Sequence, residues 1–547
     1  MANIMNLKSL RNKVSRNGFD LSFKRNFTAK VGELLPVMVK EVLPGDVFNI
    51  DLSSFTRTQP VNTAAFARMR EYYDFFFVPY NLLWNKADTV LTQMYDNSQH
   101  STSSNLSANP LLSGDLPYVS CQQLASYVSG MYALGSTNLG NNFFGYNRGA
   151  LSAKLLEYLG YGNYSYFFTK SWSDSNKLMA NVNLNVFSLL AYQKIYSDFY
   201  RDSQWEKTSP GTFNVDYILG NNDLNVDLSA LSTTYRKYYN MCDLRYCNWQ
   251  KDLFHGIVPN QQYGSTSVAP ADIEGSDGNP SVSLNVLVLR QYEFLQKWKE
   301  IAQSGSKDYK EQVQKHWNVS VGDYASEMCQ YLGGTSSNID INEVVNTNIT
   351  GENAADIAGK GTGISRGNIR FDSRGKYGVL MCIYHCLPVL DYTTDYIEPL
   401  HTKVEASAFA IPELDRVGMQ PVPLIWLSNP LESESPNSPS LDLGYAPRYI
   451  EYKTSFDSSV GAFKGSLNSW VMSYGNAAVK DQLASGANVP EGEDSYVTYT
   501  TLKVNPNSVD PIFAVKADSK VDTDQFLCSC FFDIKAVRNL DVDGLPY

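Results

Sequence analysis

No stretch of this 547-residue chain approaches the roughly 18 to 20 consecutive apolar residues that a membrane-spanning helix needs. The opening MANIMNLKSLRNKVSRNG lacks the apolar stretch of a secretory signal, so synthesis and folding in a cytoplasm are expected. Cysteine is sparse. Eight thiols in a chain of this length build no disulfide scaffold, and reduced, mostly buried thiols are the expected state. Histidine is scarcer still, and His100, His255 and His316 stand isolated, which is weak ground for catalysis. Low-complexity runs, charge blocks and internal repeats are all missing. Length alone would suggest about three or four domains, but without linker-like composition a single large domain with long insertions is the better expectation.

What the chain does have is apolar and aromatic material. Hydrophobic residues make up 43%, enough for a substantial core, and 36 tyrosines against 8 tryptophans favour contact surfaces where a ring packs while its hydroxyl stays hydrogen-bonded. The net charge of −11 is unevenly spread. Residues 1–30 carry Lys8, Arg11, Lys13, Arg16, Lys24, Arg25 and Lys30 against Asp20 alone, a balance of +6 that leaves −17 on residues 31–547. We therefore divide the chain into a basic arm, 1–30, and a single domain, 31–547. A basic arm on an acidic body suits contact with phosphate, although charge alone serves a solvated terminus equally well.

Alternation of apolar with polar residues predicts strands at 34–43, 47–52 and 72–78, then at 377–390, 402–410, 446–453, 496–504, 511–516 and 525–535. Helical spacing predicts helices over 150–159, 186–201 and 284–302, the last presenting Val288, Tyr292, Leu295, Trp298 and Ala302 on one face. Strands at both ends with helices between them indicate one mainly β sheet system carrying long helical and loop insertions. The loop-rich candidates are 96–149, 208–240, 264–283 and 333–363, all rich in Ser, Asn, Gly or Thr.

Catalytic patterns fail on context. Gly363-Ile364-Ser365-Arg366-Gly367 fits a G-x-S-x-G elbow, but the required apolar strand before and helix after are absent from the flanks AGKGT and NIRFDSRG. In GENAADIAGKGTG, Lys360 precedes a glycine where a phosphate loop needs Ser or Thr. Cys382 and Cys386 would share one face of a strand while His385 takes the other, so the cluster CIYHC does not converge on a metal. No cofactor is expected, and no pair of carboxylates stands out as a glycosidase couple.

Three kinds of block remain. LPxxxxEVLPGD (Leu35, Pro36, Glu41, Val42, Leu43, Pro44, Gly45, Asp46) is followed by FFVPxxLLW (Phe76, Phe77, Val78, Pro79, Leu82, Leu83, Trp84). AYQKIYSDFYRD ends on Tyr200, Arg201 and Asp202, and WQKDLFHGIVPNQQYG closes on Pro-x-x-Gln-x-Gly. Later come YLGGT, GYAPRYIEYK, SLNSWV and the terminal DQFLCSCFFDIKAVRNLDVDGLPY. In this order the blocks resemble the gokushovirus-like major capsid proteins of microviruses, small tailless bacteriophages with single-stranded DNA.

The resemblance implies an eight-stranded jelly roll and a non-enzymatic shell subunit. It further implies assembly with identical subunits, as pentamers within a T=1 icosahedral capsid, around a circular single-stranded DNA genome. Implied partners are a small basic DNA-condensing protein, other minor virion proteins and a host-cell surface receptor. On this reading Lys8, Arg11, Lys13, Arg16, Lys24 and Arg25 neutralise phosphates inside the shell. The neighbouring Phe19, Phe23 and Phe27 stack on bases or, the favoured role, anchor the arm. Interface candidates are Trp84, Tyr200, Trp249, Trp298 and Trp470, each more often a core residue than an interface one, together with Arg201 and Asp202, which the resemblance implies fix a loop or a neighbouring subunit. The interval 265–283 is short for this branch, which argues against a tall threefold protrusion. The alternative from composition is a glycan-binding or glycan-degrading protein, disfavoured by the lack of an export signal.

Overall fold

The computed structural model describes residues 15–63, 65–92, 116–135, 140–142, 144–170, 182–206, 210–218, 224–228, 240–260, 286–303, 308–322, 325–345, 357–393, 396–415, 418–428, 442–474 and 502–542. Its centre is an antiparallel sheet of nine strands: β1 (Asn17–Asp20), β2 (Phe23–Ala29), β3 (Leu35–Val42), β4 (Val47–Thr58), β5 (Met69–Pro79), β6 (Gln330–Val345), β7 (Ile357–Asp372), β8 (Gly378–Pro388) and β9 (Phe526–Arg538). The spatial order is β1-β9-β4-β7-β6-β5-β8-β3, and β2 also pairs with β9.

Strand β6 explains how this sheet curls. Its first half, to Ile339, pairs with β5, and its second half, from Asp340, pairs with β7. The sheet thus divides into β2-β9-β4-β7 and β6-β5-β8-β3, and β2 to β9 are dealt between the halves in the order of a jelly roll. This mainly β fold with inserted helices is the one expected.

Alternation sets the first half. In β4, Phe48, Ile50, Leu52, Ser54, Thr56 and Thr58 point inward while Asn49, Asp51, Ser53, Phe55 and Arg57 face solvent. In β9, Phe526, Cys528, Cys530, Phe532, Ile534 and Ala536 point inward likewise. In the second half β8 is buried on both faces and reads as a continuous apolar run, GVLMCIYHCLP. Its inward residues Leu380, Cys382, Tyr384 and Cys386 pair with Phe77, Phe75, Tyr73 and Glu71 of β5. The outer side is covered by helices α2 (Arg148–Leu159) and α3 (Phe187–Ile195), which pack on β3, β5 and β8. Helix α1 (Cys121–Ala133) packs on α2 and starts at a capping box of Ser120 and Gln123. Helices α4 (Val286–Gln303) and α5 (Tyr309–Trp317) form a separate pair.

Several expectations are corrected. The segment 333–363 is not a loop: its described parts belong to β6 and β7, and residues 346–356 lie outside the described residues. Small residues are demanded there because the two halves of the sheet close on one another. A Cβ on Gly361 would sit 2.5 Å from Thr58 Cγ2, and one on Gly367 3.0 Å from Thr335 Cβ. Ser365, the serine of the G-x-S-x-G pattern, is buried in this seam with its hydroxyl 2.6 Å from that of Thr335. It is a packing residue in a strand, not an elbow.

The strand expected at 402–410 is replaced by short helical turns, and that at 446–453 ends at Pro447 before a helical turn from Ile450. Over 511–516 only Phe513 makes a bridge, to Val61. Lys503 bridges Asn248, while residues 496–501 lie outside the described residues. The loop-rich window 96–149 contains α1; the window 264–283 and much of 208–240 lie outside the described residues.

Candidate functional site

The basic segment is split by its own sequence. Asn17 to Ala29 alternates well enough to pair with β9 as β1 and β2, so residues 17–29 belong to the sheet and not to a free arm. Lys8, Arg11 and Lys13 lie outside the described residues. Arg16 is exposed and donates from Nη2 to the Gly45 carbonyl at 3.3 Å. Lys24 stands on the solvent face of β2, and Arg25, one residue on, points the other way and donates from Nη2 to the Tyr158 carbonyl at 2.6 Å. Of the three described cations, Arg16, Lys24 and Arg25, the last two therefore stand on opposite faces of β2. Phe23 stacks on Phe532 with ring centroids 5.2 Å apart, and Phe27 packs edge-on to Tyr158 and Tyr384. Those two rings anchor the segment.

Sequence reasoning missed a buried ionic cluster beneath this anchor. Lys154 of α2 donates to Glu33 Oε2 at 2.6 Å and to Asp524 Oδ2 at 3.0 Å, and Lys30 pairs with Asp524 Oδ1 and donates to the Lys520 carbonyl at 2.7 Å. All four charged groups are almost wholly inaccessible. Burial alone would lower the pKa of Lys154, but Glu33 and Asp524 outweigh it and hold the ammonium well above its usual range. Asp524 is correspondingly held below the usual carboxylate range: burial raises it, and Lys154 and Lys30 more than offset that. The cluster ties the start of the chain, an inserted helix and the last strand into one unit. Lys30 and Glu33 are close in sequence, but Lys154 and Asp524 are brought in from far along the chain, so no local signal could have found the cluster.

The interface candidates separate by burial. Trp84 and Trp249 are core. The Tyr200 hydroxyl donates to Asp74 Oδ2 at 2.8 Å. Arg201 Nη1 donates to the Glu206 carbonyl at 2.6 Å, and Asp202 Oδ1 accepts from the Gln204 and Trp205 amides, so this pair pins a loop of its own chain. Trp298 is 55% exposed on α4, beside exposed Phe294 and Leu295. Trp470 is partly exposed and packs on Phe66, itself 66% exposed, with ring centroids 5.8 Å apart. Among the described residues, Trp298, which packs on His316, and the Phe66–Trp470 pair are thus the candidates that stay exposed at the surface.

The cysteines, His385 and His255 are placed as structural groups. All eight cysteines are buried, and no group of metal-ligating side chains converges among the described residues. His385 stacks on Tyr72, and burial pushes its pKa down to about 3, so it stays neutral. Nδ1 of His255 lies 3.1 Å from Asp252 and 2.9 Å from the Tyr392 hydroxyl within the core. No helix among the described residues is long and apolar enough to cross a membrane.

The sequence pattern of the phage capsid protein (F protein) family matches residues 8–130 and 261–547. The chain is 22% identical to capsid protein VP1 of Chlamydia phage 1 over 97% of its own length and 96% of that protein. It is 35% identical to capsid protein VP1 of Bdellovibrio phage phiMH2K over 71 residues, 13% of each chain. With the jelly roll as its fold and the family pattern spread over most of its length, this chain belongs to the microvirus capsid protein (F protein) family and is a structural protein of the phage virion, not an enzyme.

Proposed function

We propose that copies of this chain assemble, through pentamers, into a T=1 icosahedral shell that encloses a circular single-stranded DNA genome. The observation that carries this reading is the pairing of a rigid jelly roll with large aromatic side chains left uncovered at its surface, Trp298 and Phe66 beside Trp470. Buried anchors of this type dominate association free energies, and an isolated subunit gains nothing from exposing them. Assembly takes place in the host cytoplasm. The basic residues Lys8, Arg11, Lys13, Arg16 and Lys24 meet phosphate on the inner side, helped by a small basic DNA-condensing protein. Arg25 has a partner of its own in Tyr158 and is left out of that set. Other minor virion proteins and a host-cell surface receptor complete the partners. With the chain placed among capsid proteins, the alternative of a glycan-binding or glycan-degrading protein loses its support.

The test is negative-stain electron microscopy of the chain expressed alone and with its neighbouring genes. Uniform small spherical particles or pentameric rings are expected. A stable monomer in both preparations would overturn the proposal.

A further inference from the structure

We propose that the solvent face of the half-sheet β2-β9-β4-β7 is a binding site for unpaired nucleic acid, with Phe55 and Phe531 as stacking platforms and Lys24, Arg57, Lys360 and Arg366 as phosphate contacts. This rests on the reading of the chain as a subunit that encloses single-stranded DNA, and it places the contact on the folded sheet where the terminal arm was expected to supply it.

Strand register builds the site. Lys24, Phe531, Ser53 and Arg366 stand directly beside one another in a row across four strands, because Lys24 pairs with Phe531, Phe531 with Ser53, and Ser53 with Arg366. Two residues further along β4, Phe55 lies between Ser529 and Ile364, and in the next row Arg57 lies between Leu527 and Thr362. Side chains two apart share a face, so these three rows form one continuous surface. Lys360 continues it along β7, two residues before Thr362.

The composition of that surface is unusual for a solvated sheet. Phe55 is 38% and Phe531 45% exposed, and Leu527 and Ile364 are exposed as well. An apolar patch left open in this way marks a site of interaction. Within these four strands no carboxylate falls in the three rows. The bordering acids are Asp340 of β6, exposed beside Thr362 at the edge of the third row, and Asp51 and Asp533 one row below, where Asp51 accepts from Asn368 and Asp533 from Ser22 and Lys535. Among the described residues Lys24, Arg57, Lys360 and Arg366 make no ion pair with a carboxylate, and the Arg57 guanidinium lies 5.1 Å over the ring of Phe55. Cations around exposed rings are the arrangement that tracks a single strand: the backbone follows the charges, and bases stack without regard to sequence. Duplex DNA hides its base faces and would use the cations alone. A protein partner would have to be acidic and aromatic-seeking, and nothing in the patch provides the donor and acceptor pattern to select one.

The test uses the full-length chain kept unassembled at low concentration, with a fluorescent oligothymidylate as probe and duplex DNA of equal length as control. Phe55→Ala with Phe531→Ala is expected to weaken single-strand binding roughly tenfold per ring while leaving duplex binding and the salt dependence unchanged. Changing Lys24, Arg57, Lys360 and Arg366 to Ser is expected to lower the slope of log affinity against log salt by about three. All six side chains are solvent-facing, so unchanged thermal melting confirms that the variants fold. If wild type binds and both sheet variants bind equally well, while Lys8, Arg11 and Lys13 changed to Ser abolish binding, the site is refuted and the genome contact belongs to the arm. If wild type binds no single strand at all, the reading of this chain as a direct genome contact fails, and the site with it.

Discussion

Lys154 sits where a folding defect can be worked out from the structure. Replacing it with Met keeps most of its volume but removes the cation shared by Glu33 and Asp524. Asp524 retains Lys30, whereas Glu33 keeps only the amide of Lys30 on Oε2 and has no partner on Oε1. Removing one member of a buried pair costs about 3–5 kcal/mol because the other charge is left uncompensated, and Glu33 is almost in that position. We expect Lys154→Met to lose about 4 kcal/mol at pH 7, measured by urea unfolding of the unassembled subunit. A second change, Glu33→Gln, should return part of the loss by removing the stranded charge. The pH dependence has a definite sign. Asp524 is depressed in the folded wild type, so its contribution is present above the unfolded carboxylate value near 4 and is lost as pH falls through the folded value. The gap between wild type and variant should therefore narrow on acidification. A loss under about 1 kcal/mol at pH 7, or a gap that widens toward acid, would refute the account.

Other outcomes follow from single contacts. Glu71, hydrogen-bonded by Thr56 and Ser337, has its pKa raised by burial against the opposing effect of those hydroxyls, so the native state holds a proton that the unfolded chain releases near pH 4 and stability falls as pH rises through the raised value. Glu71→Gln should be more stable than wild type at pH 7 and should lack that slope in unfolding titrations. His385 behaves oppositely: the unfolded chain takes up a proton below about pH 6.5 and the native state does not until about 3, so wild type should lose up to about 1.4 kcal/mol per pH unit in that window. His385→Phe, which preserves stacking on Tyr72, should flatten the curve. Gly361→Val should cost about 1–3 kcal/mol, because its Cβ meets Thr58 and the added methyls have no space in the seam. Trp298→Ala should leave the melting of the isolated subunit almost unchanged and suppress particle formation in light scattering.

Much of the sheet could be read directly from the chain. The alternation of β4 and β9 and the apolar runs of β5 and β8 are local patterns, and the helices at 148–159, 187–195 and 286–303 follow from apolar spacing. What escaped was whatever depends on who lies opposite. Gly361, Gly363 and Gly367 look like loop residues until Thr58, Glu71 and Thr335 are set against them. The Lys-rich start looks like an arm, yet Phe23 packs on Phe532 of β9 and under Lys40 of β3, and Phe27 packs on Tyr384 of β8 and Tyr158 of α2. Tryptophan composition cannot separate Trp84 from Trp298, since one is enclosed by the fold and the other is not. Phe55 and Phe531 are both alternating residues of amphipathic strands, and only register makes them neighbours on one face.

The central claim is that this subunit closes into a shell around a single-stranded genome. Analytical ultracentrifugation of particles purified from cells making the chain with its neighbouring genes, read at 260 and 280 nm after nuclease treatment, tests it most directly. The account predicts one discrete species of about 60 copies that carries nuclease-protected, circular single-stranded DNA. A polydisperse series of oligomers, or closed particles whose nucleic acid is wholly digested or double-stranded, would contradict it.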